Sequence, residues 1–250
     1  MLLFLLTISM SSCFSIKEEI EINENGTGSY STSINLGKMM AMLQLFSTEM
    51  TDALGVEQQD NMMADKDTSF ALKHITDTSS NLSPSEKKLI EKGTMHFKAN
   101  AAEGVFDIAA TVPFTNTVDM ANIAISNGKK SLLDMLFSAS GTNKNNTSTT
   151  EDDTPPPFEM IYTAGHIERK FIPEVYERIK DKIGSDENDE QAKKMFEGNN
   201  FTTIIHFKKP IKKVDGKFTV VSDDKKTVTI DIPFLDFIRK PKDIAYSIDY

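Results

Sequence analysis

Histidine side chains are the first candidates for chemistry in this sequence, because an imidazole can bind a metal ion or transfer a proton near neutral pH. Three of the four histidines, His96, His166 and His206, fall on segments whose alternating residues predict β-strands. Three such ligands could hold a catalytic zinc ion. No two of them have the i, i+2 or i, i+4 spacing of paired metal ligands, and each fits the surface of its strand. We therefore predict no metal site and no cofactor.

Short motifs that would identify an enzyme are incomplete in this chain. His166-Ile167-Glu168 matches the H-x-E of zinc deaminases, but that chemistry also needs a later pair of cysteines, and the chain has one cysteine. Residues 186–190 have acidic side chains at calcium-loop spacing, but Gln191 stands where the loop needs glycine. We predict a non-catalytic protein. A hydrolase with a triad assembled from distant residues is an alternative, because triads are defined by geometry rather than by sequence position.

Methionine is unusually frequent, with 13 residues in the chain. Several of these methionines lie close together in the first quarter of the sequence, namely Met39, Met40, Met42, Met50, Met62 and Met63. Filling of irregular gaps in the core is the expected use of this side chain. A copper(I) site of thioether ligands and an adaptable apolar binding groove are the two other interpretations.

The amino-terminal stretch has the features of an export signal. Leu2 to Met10 form an uncharged, mainly apolar run of nine residues, which fits the apolar part of a signal peptide (about 7–15 residues). It is too short for a transmembrane helix, which needs about 20 residues. Ser11 and Ser12 then precede Cys13, the single cysteine. This stretch resembles the lipobox of bacterial lipoproteins, which ends in small residues followed by a cysteine.

The lipoprotein resemblance implies that residues 1–12 are a signal peptide and that Cys13 becomes the lipidated first residue of the mature chain. Two or three acyl chains anchor a protein stably to a bilayer without spanning it. The resemblance therefore implies a lipid-anchored protein of the bacterial cell envelope, with the outer membrane favoured and a periplasmic or surface face. A buried strand over residues 2–14 with a free thiol is the alternative interpretation.

The residues after Cys13 also allow two interpretations. Lys17-Glu18-Glu19 resembles the short lysine and acidic stretches that direct some bacterial lipoproteins to the cell surface. The same region alternates, with Ile16, Ile20 and Ile22 on one face and the charged side chains on the other, which favours a strand.

Composition limits the classes of partner. The formal net charge is −9 and the pI is near 5.0, whereas proteins that bind nucleic acids usually have a basic face. We predict no nucleic-acid partner. An acidic chain is also repelled by anionic lipid head groups, so the acyl chains on Cys13 are the predicted contact with the membrane. A single cysteine permits no internal disulfide.

The first half of the sequence predicts hairpins and helices. Residues 16–23 and 28–36 predict two strands joined at Asn25-Gly26, a strong hairpin signal. The spacing over residues 37–55 predicts an amphipathic helix. Ser83-Pro84-Ser85-Glu86 predicts a capped helix start, residues 94–101 and 104–112 predict a second hairpin, and residues 117–127 predict another helix.

The second half begins after a polar stretch, residues 139–157, which is predicted to be a flexible loop or linker. The patterns that follow predict strands at 158–168, 201–208, 217–222, 226–232 and 243–250, with helices at 173–183 and 189–197. Strands joined as hairpins are antiparallel. We therefore predict an α+β fold, an antiparallel sheet built from hairpins with amphipathic helices on one face. Residues 13–250 are predicted to form a single domain.

These features favour a membrane-anchored envelope protein that acts as a non-catalytic binding or structural module, with a possible envelope protein partner. The first alternative is a carrier of a small apolar ligand or lipid in a pocket between sheet and helices. The second is the hydrolase with a dispersed triad.

Overall fold

The computed structural model describes residues 15–37, 65–79, 82–100, 103–124, 132, 157–179 and 197–250. The signal peptide, Cys13 and nearly all of the helix predicted at 37–55 lie outside these residues, and so do the clustered methionines. The loop predicted at 139–157, apart from its last residue, and the helix at 189–197, apart from its last residue, also lie outside.

Strands dominate the described residues. The strands are β1 Ser15–Ile22, β2 Gly28–Asn35, β3 Lys66–Ala71, β4 Thr94–Asn100, β5 Val105–Phe114, β6 Phe158–Thr163, β7 His166–Phe171, β8 Asn200–Phe207, β9 Lys213–Gly216, β10 Thr219–Val221, β11 Thr227–Pro233 and β12 Tyr246–Asp249. The helices are α1 Lys73–Thr78, α2 Pro84–Ile90, α3 Pro173–Ile179 and α4 Phe234–Arg239, with a 3₁₀ helix at Thr117–Asn122.

The strands form two sheets. The large sheet has the order β10-β11-β8-β1-β2-β5-β4-β3, and the small sheet has the order β6-β7-β12-β9. Every pairing is antiparallel except that of β1 with β8, which is parallel and brings the two halves of the chain into one sheet. The α+β class and its hairpins are confirmed. The sequence pattern did not predict the second sheet or the parallel pair.

Alternation along the strands builds the core between the sheets. On β5, Phe106, Ile108, Ala110 and Val112 are buried as predicted, because side chains at i and i+2 point to the same face. The main core cluster contains residues of both sheets, together with Ile90, Met120 and other apolar side chains of the helical segments, whereas Phe106 and Ile108 lie in a second, smaller cluster with Ala99. The inner face of the large sheet is therefore covered by the small sheet and by the helical segments.

Glycines with unusual backbone angles mark two of the chain reversals. Gly26 has a φ of 81° in the predicted β1–β2 turn, where the missing Cβ makes a positive φ inexpensive. Gly165 has a φ of 86° and splits the strand predicted at 158–168 into the hairpin β6–β7. That single-strand prediction was wrong: the buried positions are even-numbered on β6 and odd-numbered on β7, and the turn lies where this phase changes.

The chain passes from the edge of the small sheet to the edge of the large sheet at Gly216, which has a φ of 152°. A Cβ at this position would lie 2.7 Å from the Cβ of Tyr246 and 2.9 Å from Cγ2 of Thr219. This close approach requires glycine and allows the chain to turn directly from β9 into β10. The strand predicted at 217–222 is accordingly the short β10, preceded by this bend.

Candidate functional site

His166 lies on the outer face of the small sheet between two carboxylates. Its Nδ1 is 2.7 Å from Oδ1 of Asp249, and its Nε2 is 3.5 Å from Oε2 of Glu168. The hydrogen bond with Asp249 is the main reason that the pKa of His166 is raised above its usual value. A general base needs a ring nitrogen directed at a nucleophile, and here carboxylates face both nitrogens.

His206 lies on the outer face of the large sheet between a hydroxyl and a carboxylate, the arrangement of the histidine in a catalytic triad. Its Nδ1 is 3.1 Å from the hydroxyl of Thr227 and its Nε2 is 3.1 Å from Oε1 of Glu19. The hydrogen bond from Lys17 is the main reason that the pKa of Glu19 is lowered. Acyl transfer also needs free donors for the oxyanion, but the Thr227 amide already donates to the Ser222 hydroxyl at 2.9 Å. We interpret this cluster as a surface network.

His96 is half-exposed at the far side of the large sheet, where its Nε2 is 2.8 Å from Oδ1 of Asp67. The three strand histidines thus lie in separate surface clusters, each with its own acidic partner. Within the residues that the structure describes, no group of three or more His, Cys, Asp or Glu side chains is arranged to hold a metal ion.

A buried polar cluster lies between the two sheets. Glu18 is fully buried on the same face as Ile20 and Ile22, so the prediction that the charged side chains of β1 lie opposite the isoleucines was wrong for this residue. The hydroxyl of Tyr30 donates to Oε1 of Glu18 at 2.6 Å, and the hydroxyl of Thr203 donates to Oε2 at 3.2 Å. The neighbouring strands thereby supply the hydrogen bonds that a buried carboxylate requires.

Arg169, on strand β7, brings a positive charge to this cluster from the small sheet. The residue is 1% exposed, and its guanidinium carbon lies 4.9 Å from the ring centre of Phe158 and 5.5 Å from that of Tyr246. Burial raises the pKa of Tyr246 to about 12, while Arg169 acts to lower it and Glu18 to raise it. Both charges thus act on one phenol between the sheets. We interpret the cluster as a feature that fixes how the sheets pack.

The candidate binding site is a groove of about 680 Å³ between helix α2, the end of strand β5 and the 3₁₀ helix. The groove is partly open to solvent, and five of its twelve lining residues are charged. The lining residues are Ser85, Glu86, Lys88, Leu89, Glu91, Lys92, Pro113, Phe114, Thr115, Asp119, Ala121 and Asn122. This volume lies in the range of sites for small ligands or for a few side chains of a partner (about 300–1,000 Å³).

The predicted cap of helix α2 positions one wall of this groove. Ser83 accepts a hydrogen bond from the Glu86 amide at 3.3 Å, and the Ser83 amide donates to Oε2 of Glu86 at 2.7 Å. This confirms the capping box. The cap commits the Glu86 carboxylate to the helix start, whereas neither Lys88 nor Lys92 makes an ion pair among the described residues. The groove therefore presents two available ammonium groups.

Strand register places the groove at the end of the sheet that is far from the start of β1. Phe114, at the groove, pairs with Gly28, and Gly28 pairs with Ile22, the last residue of β1. The eight residues of β1 correspond to roughly 23 Å of extended chain. Cys13 precedes Ser15, the first residue of β1, by two positions. Sequence analysis predicted the capped helix but not the groove, because the groove forms from three segments that the strand order brings together.

The described residues contain no helix that is both long enough and apolar enough to span a bilayer.

No protein-family model matches the chain, and no curated protein matches it. Among solved structures, the chain is similar to the NMR structure of the folded domain of LppM from Mycobacterium tuberculosis. The sequence identity is 8%, the TM-score is 0.39, and the similarity covers 96% of this chain and 91% of that one. A likeness at this level carries no inference about function.

Proposed function

We propose that this chain is a lipid-anchored, non-catalytic binding module of a bacterial envelope, attached to the membrane through acyl chains on Cys13. The run from Leu2 to Ser12 supports the anchor, because its length and small final residues fit a lipoprotein signal peptide. Since Cys13 lies two residues before β1, such an anchor would keep the start of this strand close to the bilayer.

The groove at the other end of the sheet is the observation that carries the binding role. It lies level with Ile22 at the end of β1, so a short tether at Cys13 leaves it accessible to a partner in the aqueous compartment. Lys88 and Lys92 on its wall have no ion pair among the described residues, and Leu89 and Phe114 provide apolar surface. Glu91 and Asp119 also line the groove, so a protein partner with apolar side chains and charged groups of both signs fits this combination.

A carrier of a small apolar ligand or lipid is the second candidate. The volume of about 680 Å³ is sufficient for such a ligand, and the groove lies between sheet and helices. The five charged lining residues favour the protein partner, because a purely apolar ligand would desolvate charged groups without compensating them.

The anchor is tested by mass spectrometry of the mature amino terminus, with fractionation of a Cys13→Ser variant. We expect a chain that begins at Cys13, carries acyl groups and sediments with membranes. The Cys13→Ser variant should retain residues 1–12 and lack the acyl mass. An unmodified thiol on full-length native protein would contradict the anchor.

The binding role is tested separately by photo-crosslinking in cells. A photoreactive residue replaces Ala121 in the groove, and a matched control replaces Ser33 on the outer face of the large sheet. We expect a discrete adduct from the groove position alone, and we expect its loss when Lys88 and Lys92 are both changed to Glu. Equal adducts from both positions, or an adduct that survives the charge reversal, would refute a partner in the groove. An adduct with the mass of a small ligand probe would favour the carrier.

A further inference from the structure

Strand β10 is an edge strand of three residues, none of which is charged. Natural edge strands carry charged residues that prevent pairing with other chains. The other three edge strands follow this rule, with Lys66 and Asp67 on β3, Glu159 on β6, and Lys213 and Asp215 on β9. The edge of the large sheet at β10 is formed by Thr219, Val220 and Val221. This edge has no charge within the strand.

The side chains and backbone of β10 are both available for pairing. Val220 is 68% exposed and Val221 is 37% exposed. The Ser222 amide donates to the Thr227 carbonyl at 2.9 Å, and the Phe218 carbonyl accepts from the Asp231 amide at 3.1 Å. Phe218, Val220 and Ser222 therefore direct their backbone amides and carbonyls toward β11. The amides and carbonyls of the residues between them, Thr219 and Val221, point outward, because backbone direction alternates along a strand.

We propose that a second copy of this chain pairs with β10 in an antiparallel arrangement centred on Val220. In this register Thr219 of each copy lies opposite Val221 of the other, and the two residues exchange both backbone hydrogen bonds. The two Val220 side chains meet on the outer face. The interface is the same patch on both copies, as a two-fold dimer requires, and the two large sheets become continuous.

The charges next to β10 select a second copy as the occupant. Lys217 and Asp223 lie in the turns that flank the two ends of β10, so the two-fold arrangement brings Lys217 of each copy near Asp223 of the other and places an opposite-charge pair at each end of the paired strands. Asp223 is exposed and makes no ion pair among the described residues. Lys217 is 55% exposed and is 2.8 Å from Asp243, and its ammonium group has further donors available. Two copies of β10, each with its flanking charges, are thus complementary to each other.

Charge reversal tests this register with the full chain in mild detergent, measured by sedimentation velocity. The native chain should form dimers. Lys217→Asp places Asp near Asp223 twice, and Asp223→Lys places Lys near Lys217 twice, so each variant alone should dimerise about tenfold more weakly. An equimolar mixture restores both opposite-charge pairs in a heterodimer and should recover native association. A native chain that stays monomeric, or a mixture no better than either variant, would overturn the proposal.

A disulfide across the two-fold axis provides a second measurement, made with purified protein in solution. In a Cys13→Ser background, which removes the single native cysteine, a Val220→Cys variant should form a disulfide-linked dimer. Two residues that lie directly opposite each other in an antiparallel pair, without a backbone hydrogen bond between them, have Cα atoms about 4.5 Å apart. A disulfide can bridge this distance. Val118→Cys is the matched control, since Val118 is 52% exposed but lies on the 3₁₀ helix. Cross-linking at both positions, or at neither, would contradict the paired edge.

Discussion

The hydrogen bond from Tyr30 to Glu18 gives the most direct test of the buried cluster. Tyr30→Phe removes one hydroxyl and leaves the ring in place. Both residues are 0% exposed, and the O–H···O distance is 2.6 Å, which is typical of a hydrogen bond to a charged acceptor. The variant leaves Oε1 of Glu18 buried without this donor, and water has little access to replace it.

We expect Tyr30→Phe to reduce the free energy of unfolding by about 1.5–3 kcal/mol, the range for a hydrogen bond to a charged group. Urea unfolding, followed by circular dichroism, measures this change. Tyr250→Phe is the matched control, because the Tyr250 hydroxyl donates to a neutral carbonyl, that of Thr163, at 3.2 Å in an exposed position. The control should cost less than about 1 kcal/mol.

A double-mutant cycle with Glu18→Gln separates the hydrogen bond from other effects of the tyrosine. If the hydroxyl acts through the carboxylate, the two substitutions together should cost less than the sum of the single costs. Equal costs for Tyr30→Phe and Tyr250→Phe, or strict additivity with Glu18→Gln, would refute the view that Tyr30 stabilises a buried charge.

Three further predictions concern the surface, a bend and a helix cap. Because the hydrogen bond with Asp249 raises the pKa of His166, its stabilising effect should be complete below the unfolded value near 6.5 and lost as pH rises through the folded pKa. NMR titration and urea unfolding of Asp249→Asn should show a smaller pKa shift of His166 and a weaker pH dependence, because Glu168 still raises this pKa. Gly216→Ala should lower the melting temperature, since its Cβ would lie 2.7 Å from that of Tyr246, and calorimetry would detect this. Ser83→Ala should cost about 1 kcal/mol in urea unfolding through the lost cap, and no cost would contradict the capping role.

Local patterns predicted the elements whose structure depends on neighbours in sequence. The β1–β2 turn follows from Asn25-Gly26, whose Gly26 has a φ of 81°, and the start of α2 follows from Ser83 and Glu86. The buried face of β5 follows from alternation alone. In each case the responsible interactions span a few residues, so the sequence contains the necessary information directly.

The sequence did not predict the short helix α4, Phe234–Arg239. It also did not predict that the helical segment after Thr117 ends at Asn122. Residues 117–127 have helical spacing, but the structure places a 3₁₀ helix at Thr117–Asn122. Short segments of this kind have little intrinsic helical preference, and their conformation depends on packing against the rest of the protein.

The amino-acid sequence by itself determined the α+β class and the β1–β2 and β4–β5 hairpins, and the anchor at Cys13 stays a prediction. Only the tertiary structure decided that Glu18 and Arg169 are both buried, that the groove forms beside Phe114, and that Val220 lies on an edge strand. Each of these features depends on the order of strands in the two sheets. Strand order joins residues that are far apart in sequence, and local periodicity cannot encode which strands become neighbours.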